Sequence, residues 1–245
     1  MTPRDETGGS HRFATTRWSI VLEAGGRSSA GSREALASLC RTYWFPLYAW
    51  ARRQGHSAPD SEDLTQEFFL RLLDRRYLAA ADPGRGRFRN FLAASFRHFA
   101  ANEYRRAGAR KRGGHAPHLP LDFGEAERRY TLEPRDAATP ETLFERSWAL
   151  ALLEQALGRL RGEFERAGKG PVFARLKVYL TDTADAASYA ALAAELETTE
   201  GAVKVAIHRL RRRYRDLLRE EIAHTVGDPS EIEGELRHLR GVLRG

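Results

Sequence analysis

The chain has 245 residues, of which 42% are apolar and 30% are charged, a composition typical of a folded globular protein rather than a disordered one. No apolar run approaches the roughly 20 residues that span a bilayer, and residues 1–13 lack the apolar core of a secretory signal. Cys40 is the single cysteine, which excludes an intrachain disulfide and a zinc site built from cysteines. We therefore expect a cytoplasmic protein.

The net charge of +7 is concentrated in two segments. Residues 97–114 carry six Lys or Arg and one acid, and residues 201–219 carry seven and one. The rest of the chain is therefore net negative. This confinement predicts two contacts with a polyanion such as nucleic acid, and two solvated helix faces are the alternative.

Helical periodicity dominates the chain and no strand pattern is evident, so we predict an all-α fold of two small helical domains joined by a linker. The first helical stretch begins after Ser32, a candidate N-cap, and ends at Gly55. Pro46 within it predicts a kink or a division into two helices.

The segment "DSEDLTQEFFLRLL", residues 60–73, predicts a helix with two unlike faces. Its buried side is expected to contain Leu64, Phe68, Phe69 and Leu72. On the other face, Leu70 is surrounded by polar side chains, namely Asp63, Gln66, Glu67 and Asp74. An apolar centre with an acidic rim is typical of a docking surface for a basic partner. A single exposed leucine on a solvated face is the alternative.

After a turn-rich stretch at 82–87, residues 88–107 predict a helix that leads into the first basic segment. Its apolar residues mostly share one face and are expected in the core: Phe88, Phe91, Leu92, Phe96 and Phe99. Asn90, Arg97 and Arg105 share another face, and His98 lies beside them. Such side chains can hold phosphates and unstacked bases of a single strand, whereas a merely solvated helix is the alternative.

Residues 113–140 lose the helical period and gather Gly and Pro, so we interpret them as a linker. A long helix is predicted next, with Thr139 as its N-cap and Pro140 and Glu141 in its first turn. Its apolar stripe contains Phe144, Trp148, Leu152, Leu157, Leu160 and Phe164. A further helix is expected at 172–180, and the tail 227–245 predicts one more short helix.

Residues 188–219 predict a helix–turn–helix: a short helix at 189–196, a break at Glu197, and a second helix capped by Thr199. The second helix has an apolar face made by Val203, Ile207, Leu210, Tyr214 and Leu217. Its opposite face is basic and contains Lys204, His208, Arg211, Arg212, Arg215 and Arg219. This arrangement is typical of DNA reading, with Ala202, Lys204, Val205 and His208 toward base edges and the later arginines toward phosphates. An amphipathic surface helix is the alternative.

Nothing in the sequence predicts catalysis. Asp63 and Glu67 form an i,i+4 carboxylate pair, but no His or Cys is placed to complete a metal site or an acid–base set. Walker loops, dinucleotide-binding glycine motifs and nucleophile elbows are not present. We expect neither an enzyme nor a bound metal or cofactor.

In this order the segments resemble a bacterial RNA polymerase sigma factor of the extracytoplasmic-function group, which has only the second and fourth conserved regions. "EDLTQEFFLRLL" resembles the helix that binds the polymerase clamp. "FRNFLAASFRHFAANEYRRAGARKR" is similar to the segment that melts and reads the minus-ten element. "SYAALAAELETTEGAVKVAIHRLRRRYRDLL" resembles the helix–turn–helix that reads the minus-thirty-five element.

The resemblance implies binding to core RNA polymerase and promoter DNA, and promoter-specific initiation of transcription. The polymerase contact would contain Asp63, Gln66, Glu67 and Leu70. The minus-ten surface would contain Arg97, His98, Asn102, Arg105, Arg106, Arg110, Lys111 and Arg112. The minus-thirty-five surface would contain Lys204, Val205, His208, Arg209, Arg211 and Arg212.

The implied domains are an N-terminal extension (1–30), a region 2-like domain (31–112), a linker (113–139), a region 4-like domain (140–222) and a C-terminal extension (223–245). The acidic linker would thread near the path of nascent RNA, by analogy only. The extension is surplus to the family pattern, which makes it a candidate for binding an anti-sigma factor or other regulator, or for covering the C-terminal domain.

The sequence departs from the family at several positions. His98 stands where many members have Asn, whereas Asn102 matches. Val205 and Ala206 replace a common Ser-Arg pair, and Glu197 replaces a frequent Gly.

Two other classes of protein remain open: a stand-alone helix–turn–helix regulator, which predicts a dimer on a palindromic site, and a metal-dependent nucleic-acid enzyme that uses Asp63 and Glu67.

Overall fold

The computed structural model describes residues 30–73, 87–107, 121–132, 139–180, 186–226 and 228–244. Within these ranges the α-helices are α1 (Ala30–Arg53), α2 (Ala58–Leu73), α3 (Phe88–Ala107), α4 (Phe123–Leu132), α5 (Pro140–Arg166), α6 (Gly170–Leu176), α7 (Ala186–Glu195), α8 (Glu200–Ala223) and α9 (Ile232–Arg244). Short 3₁₀ turns occupy Lys177–Leu180 and Pro229–Glu231. The described residues contain no strand, which confirms the predicted all-α fold.

The ends of the long helix α5 follow the signals in its sequence. Thr139 is the N-cap, and its Oγ1 accepts a hydrogen bond of 3.1 Å from the backbone N–H of Thr142. At the other end Gly168 takes a φ of +69°, and the N–H of Lys169 donates to the carbonyl of Phe164 at 2.8 Å. Because glycine adopts this left-handed conformation at little cost, the helix can stop there.

Helix α1 extends from Ala30 to Arg53, so of the two alternatives at Pro46 the division into two helices is wrong, while the kink stays a prediction. The helix begins before Ser32, which is therefore not its N-cap as predicted. Proline cannot donate to the carbonyl four residues earlier, which usually breaks a helix. Here the residues beside it, Phe45 and Leu47, are both buried, and their packing holds the helical path. Gly55, with a φ of +93°, lies in the turn after α1 as expected.

Helix α5 is the central helix of the fold and packs against α1, α8 and α9. Its first half packs against α1, where Tyr43, Phe144 and Trp148 are almost completely buried and the rings of Tyr43 and Phe144 stack at 6.5 Å. Its second half packs against α8, where the Tyr214 hydroxyl donates to the carbonyl of Leu153 at 3.1 Å. One apolar cluster therefore extends from α1 through α5 to α8 and α9.

The expected linker contains a helix, although its sequence lacks an evident helical period. In α4, Phe123 and Ala126 are buried against a second apolar cluster that includes Phe45 and Tyr48 of α1. An Asp-x-x-Glu pattern begins the helix, because Asp122 Oδ1 accepts from the N–H of Glu125 at 2.9 Å. The flanking Gly and Pro residues obscured this signal in the sequence.

Candidate functional site

Helix α2 has the two faces that its sequence predicts. Phe68, Phe69 and Leu72 are fully buried, and Leu64 is partly buried against the same cluster. Thr65 also lies in the interior and donates through its hydroxyl to the carbonyl of Ser61 at 2.7 Å. This packing turns the opposite face of α2 outward.

On that outward face, Asp63 is exposed while Glu67 and Leu70 are half-buried. Gln66 was expected on this outward face, but it is only 7% exposed. Its i+3 neighbour Phe69 is fully buried, which places Gln66 at the edge of the core rather than at the centre of the surface. Asp74 lies outside the described residues.

Arg71 is a part of this face that the sequence analysis did not single out. It bonds Glu67 at 2.9 Å on its own helix and Glu103 of α3 at 3.0 Å, and its guanidinium lies 4.8 Å from the centre of the Phe99 ring. The Glu-x-x-x-Arg spacing was the available sequence signal. Because Arg71 neutralises part of the charge of Glu67, Asp63 is the more fully available carboxylate.

Helix α3 also separates into a core face and a polar face. Phe88, Leu92, Phe96 and Phe99 are buried and Phe91 is partly buried, as predicted. The predicted minus-ten residues Arg97, His98, Asn102 and Arg105 are exposed. Asn102 Oδ1 accepts from Arg105 at 2.6 Å, so these two side chains form one polar unit. The side chain of Arg106 and residues Arg110, Lys111 and Arg112 lie outside the described part of the chain.

Tyr104 on α3 is a second candidate that the sequence analysis did not single out. It is 75% exposed, although large aromatic side chains are usually covered. It lies two turns from Arg97, which places the ring and this cation on the same face of the helix. An exposed ring beside arginines can stack on an unpaired base.

Two helices joined by a short turn occupy the segment predicted as a helix–turn–helix, and α7 begins at Ala186, three residues earlier than expected. Thr199 caps α8, since its Oγ1 accepts from the N–H of Ala202 at 3.2 Å. Val203, Ile207, Leu210 and Leu217 are buried, and Tyr214 is partly buried against them. In the turn between α7 and α8, Glu197 has a φ of +50°.

The outer face of α8 presents most of the predicted DNA contacts to solvent: Lys204, Val205, His208, Arg209 and Arg212 are exposed. Val205 is 49% exposed, an apolar side chain within a basic face. Arg211 is different, because it is half-buried and its Nε donates to the carbonyl of Tyr179 at 2.7 Å. This bond fastens α8 to the 3₁₀ turn before α7.

Arg213, two residues later, is half-buried beside α5. It donates to both carboxylate oxygens of Glu163 on α5, at 2.6 and 3.0 Å, and to Glu220 at 3.2 Å. The hydrogen bonds from Arg213 lower the pKa of Glu163 below its ordinary value. The arginines of α8 therefore divide into an exposed group and a structural group that attaches α8 to its neighbours.

The described residues contain no cluster of three or more His, Cys, Asp or Glu side chains able to hold a metal ion. Within the same ranges no helix combines the length and apolar character needed to cross a membrane.

Residues 40–110 match the family model described as Sigma-70 region 2. The matched range begins within α1 and contains the whole of α2 and α3. The match supports a sigma factor of the sigma-70 family, with a role in promoter recognition and transcription initiation. No curated protein and no solved structure gives a significant match to the chain.

Proposed function

We propose that the protein is a sigma factor of the extracytoplasmic-function group that binds core RNA polymerase and directs promoter-specific initiation. The observation that carries this proposal is the Sigma-70 region 2 match over residues 40–110. This range holds both the candidate polymerase contact on α2 and the candidate minus-ten surface on α3. The proposed role is recruitment, without catalytic residues of the protein's own.

In this proposal the outward face of α2 docks on the polymerase. Asp63 and Glu67 would meet basic groups of the partner, and the half-buried Leu70 would lose its remaining exposure on binding. Charge at the rim of an interface mainly sets partner choice and association rate, while the apolar centre contributes affinity. The acidic face thus serves a protein partner in a chain whose basic segments serve DNA.

The polar face of α3 would hold the opened strand at the minus-ten element. Arg97 and Arg105 are placed to meet phosphates, and His98 and Asn102 can donate or accept hydrogen bonds at base edges. Tyr104 supplies a stacking surface, which in single-strand binding contributes about 1–3 kcal/mol per base. Stacking would offset part of the cost of taking a base out of the duplex.

The outer face of α8 would read the minus-thirty-five element. Lys204, Val205 and His208 lie in its first turns, where helix–turn–helix proteins contact base edges. Val205 suits contact with a thymine methyl group, since such contacts are apolar. Arg209 and Arg212 would meet phosphates on either side.

A pull-down with core RNA polymerase tests the contact on α2. We expect Asp63→Ala/Glu67→Ala to lose most of its binding, because both carboxylates of the docking face are removed. The matched control is Glu154→Ala/Glu165→Ala, which removes two exposed carboxylates from α5 instead. If the α2 variant binds as well as the parent, α2 is not the docking helix.

Run-off transcription with core polymerase and a promoter library tests the function as a whole. A sigma factor yields specific transcripts that depend on the added protein. A stand-alone helix–turn–helix regulator would instead bind a palindromic site as a dimer and would not restore initiation to core polymerase. The second result would reject the proposal.

A further inference from the structure

The C-terminal helix α9 joins elements that are far apart in the sequence. Glu235 is only 1% exposed, and its carboxylate pairs with Arg87 and Arg89 at the start of α3. Arg89, itself 4% exposed, also bonds Glu145 of α5 at 3.0 Å and lies over the ring of Trp148 at 4.7 Å. Three helices thus meet at one buried ionic cluster.

Further contacts join α9 to α5 and α8. His238 Nε2 lies 2.7 Å from Glu145 Oε2, and Leu239 is buried in the main apolar cluster. At its start, Glu233 forms an ion pair with Arg219 of α8. Helix α9 therefore contacts three helices: the basic helix α3, the central helix α5 and α8, the proposed DNA-reading helix.

We propose that α9 is an intramolecular latch: through Glu235 it holds α3 against α5 and keeps the free protein closed, so that its two DNA surfaces cannot engage a promoter together. This inference rests on the proposed function, which assigns those surfaces to α3 and α8. The regulatory step is the opening of the latch when polymerase and promoter DNA bind.

The distance between the promoter elements requires such an opening. Elements at minus ten and minus thirty-five are separated by about 85 Å along B-form DNA, at 3.4 Å per base pair. A compact chain of 245 residues has a radius of gyration of about 18 Å. Surfaces on one compact body of that size do not reach across the interval, so α3 and α8 must move apart.

The chemistry of the cluster suits a latch. Arg89 is buried and is stabilised by both Glu235 and Glu145, so loss of Glu235 removes one of the two carboxylates that compensate a buried cation and favours separation. When the helices separate, water can solvate the released carboxylate and guanidinium groups. The closed form is also held by the apolar contact of α1 with α5, so α9 supplies the polar part of the closure.

Distances between spin labels in the free, full-length protein test the latch directly. Labels at Ala101→Cys on α3 and Ala191→Cys on α7, both exposed positions, are introduced with Cys40→Ser. We expect a single short-distance population in this parent, and an added population at longer distances in Glu235→Gln and, more strongly, in Glu235→Lys. The matched control Glu233→Gln removes a carboxylate of the same helix that pairs with Arg219 of α8, and it should keep the short population. Unchanged distances in both Glu235 variants would overturn the latch.

A cross-link tests the same idea in the opposite direction and does not depend on a destabilised variant. The position of a side chain at Gly234 lies 3.4 Å from the Arg87 guanidinium. In Arg87→Cys/Gly234→Cys with Cys40→Ser, a reducible bismaleimide should lock the closed form. We expect promoter-dependent transcription to be lost and then regained on reduction, with Gly234→Cys alone as the control. Full transcription by the locked protein would reject the inference.

Promoter binding without polymerase supplies the functional readout. Because apparent affinity scales with the fraction of open protein, Glu235→Lys should bind promoter DNA roughly tenfold or more tightly than the parent. The outcomes separate the two proposals. Shifted label distances without polymerase-dependent transcription in any variant would reject the sigma function and keep the latch, whereas normal transcription with unchanged distances would reject the latch alone.

Discussion

Glu197 holds the turn of the helix–turn–helix in a conformation that suits glycine better. Its φ of +50° lies in the left-handed region, where a side chain with a Cβ costs about 1–2 kcal/mol. Glycine removes this strain, but it also has more conformational freedom in the unfolded chain. That freedom offsets about 0.4–1 kcal/mol of the gain in stability. We therefore expect Glu197→Gly to raise the free energy of unfolding by about 0.5 kcal/mol, measured by denaturant unfolding.

Two controls isolate the backbone effect of that change. Glu197→Ala removes the carboxylate but keeps the Cβ, so it should give no gain in stability. Ala191→Gly places a glycine at an exposed position in the interior of α7, where it should cost about 1 kcal/mol. Equal stability of the Gly and Ala variants at position 197 would show that backbone strain is not what limits this turn.

Single residues also show where sequence reasoning ends. The helical wheel of α2 identified the buried side chains, yet it placed Gln66 on the surface and gave no partner for Glu67. The structure buries Gln66 and pairs Glu67 with Arg71. Periodicity gives the direction of each side chain on its own helix, but the degree of exposure depends on what the neighbouring helix covers.

At the level of elements, the cap signals of Thr139 and Thr199 were reliable, whereas the one at Ser32 was not, because α1 begins at Ala30. Thr139 and Thr199 begin their helices as predicted because a side-chain hydrogen bond is a local property. Two further differences have a common cause: α1 is not divided at Pro46, whose neighbours are buried, and α4 forms in the expected linker by packing against α1. In both places long-range packing overrides local propensity.

Helix α8 offers a matched pair of adjacent arginines for testing its role in DNA binding. Arg212 is exposed, whereas Arg213 is bound to Glu163 and Glu220. Removing one phosphate contact lowers the slope of log affinity against log salt by about 0.9. We expect this decrease for Arg212→Ala, in fluorescence anisotropy titrations with promoter DNA across a range of salt concentrations.

Arg213→Ala should leave that slope unchanged but lower the thermal stability, because Glu163 and Glu220 lose a partner. A flat salt response in the parent protein would contradict phosphate binding by the basic segments. Equal slopes for the two variants would mean that the outer face of α8 does not meet DNA.

For the whole molecule, the sequence predicted two domains and correctly identified most of the apolar faces, but it did not show which faces meet. The stripe of α5 was expected to serve the C-terminal domain, yet Phe144 and Trp148 pack with Tyr43 of α1 in a shared core. The domain boundaries stay a prediction. The buried Arg89–Glu235 pair was likewise invisible, because its partners are separated by 146 residues.

The contacts that join the helices make the whole fold sensitive to acid. Glu127 binds Arg52 across α4 and α1 at 2.8 Å, and Glu163 binds Arg213 across α5 and α8. Hydrogen bonds from these arginines hold the pKa of both carboxyl groups below the ordinary value of 4.5. A carboxyl group whose pKa is lower in the folded state than in the unfolded state contributes stability above the unfolded value, and this contribution disappears as the pH falls through the folded value.

We therefore expect the free energy of unfolding to stay nearly constant from pH 7 to about pH 5 and to fall steadily below about pH 4.5. Denaturant unfolding at a series of pH values measures this profile. Glu163→Gln should be less stable than the parent at pH 7, but its stability should fall less steeply in acid, since one of the linked groups no longer titrates. Parallel profiles for the parent and Glu163→Gln would show that this inter-helix pair does not contribute to acid stability.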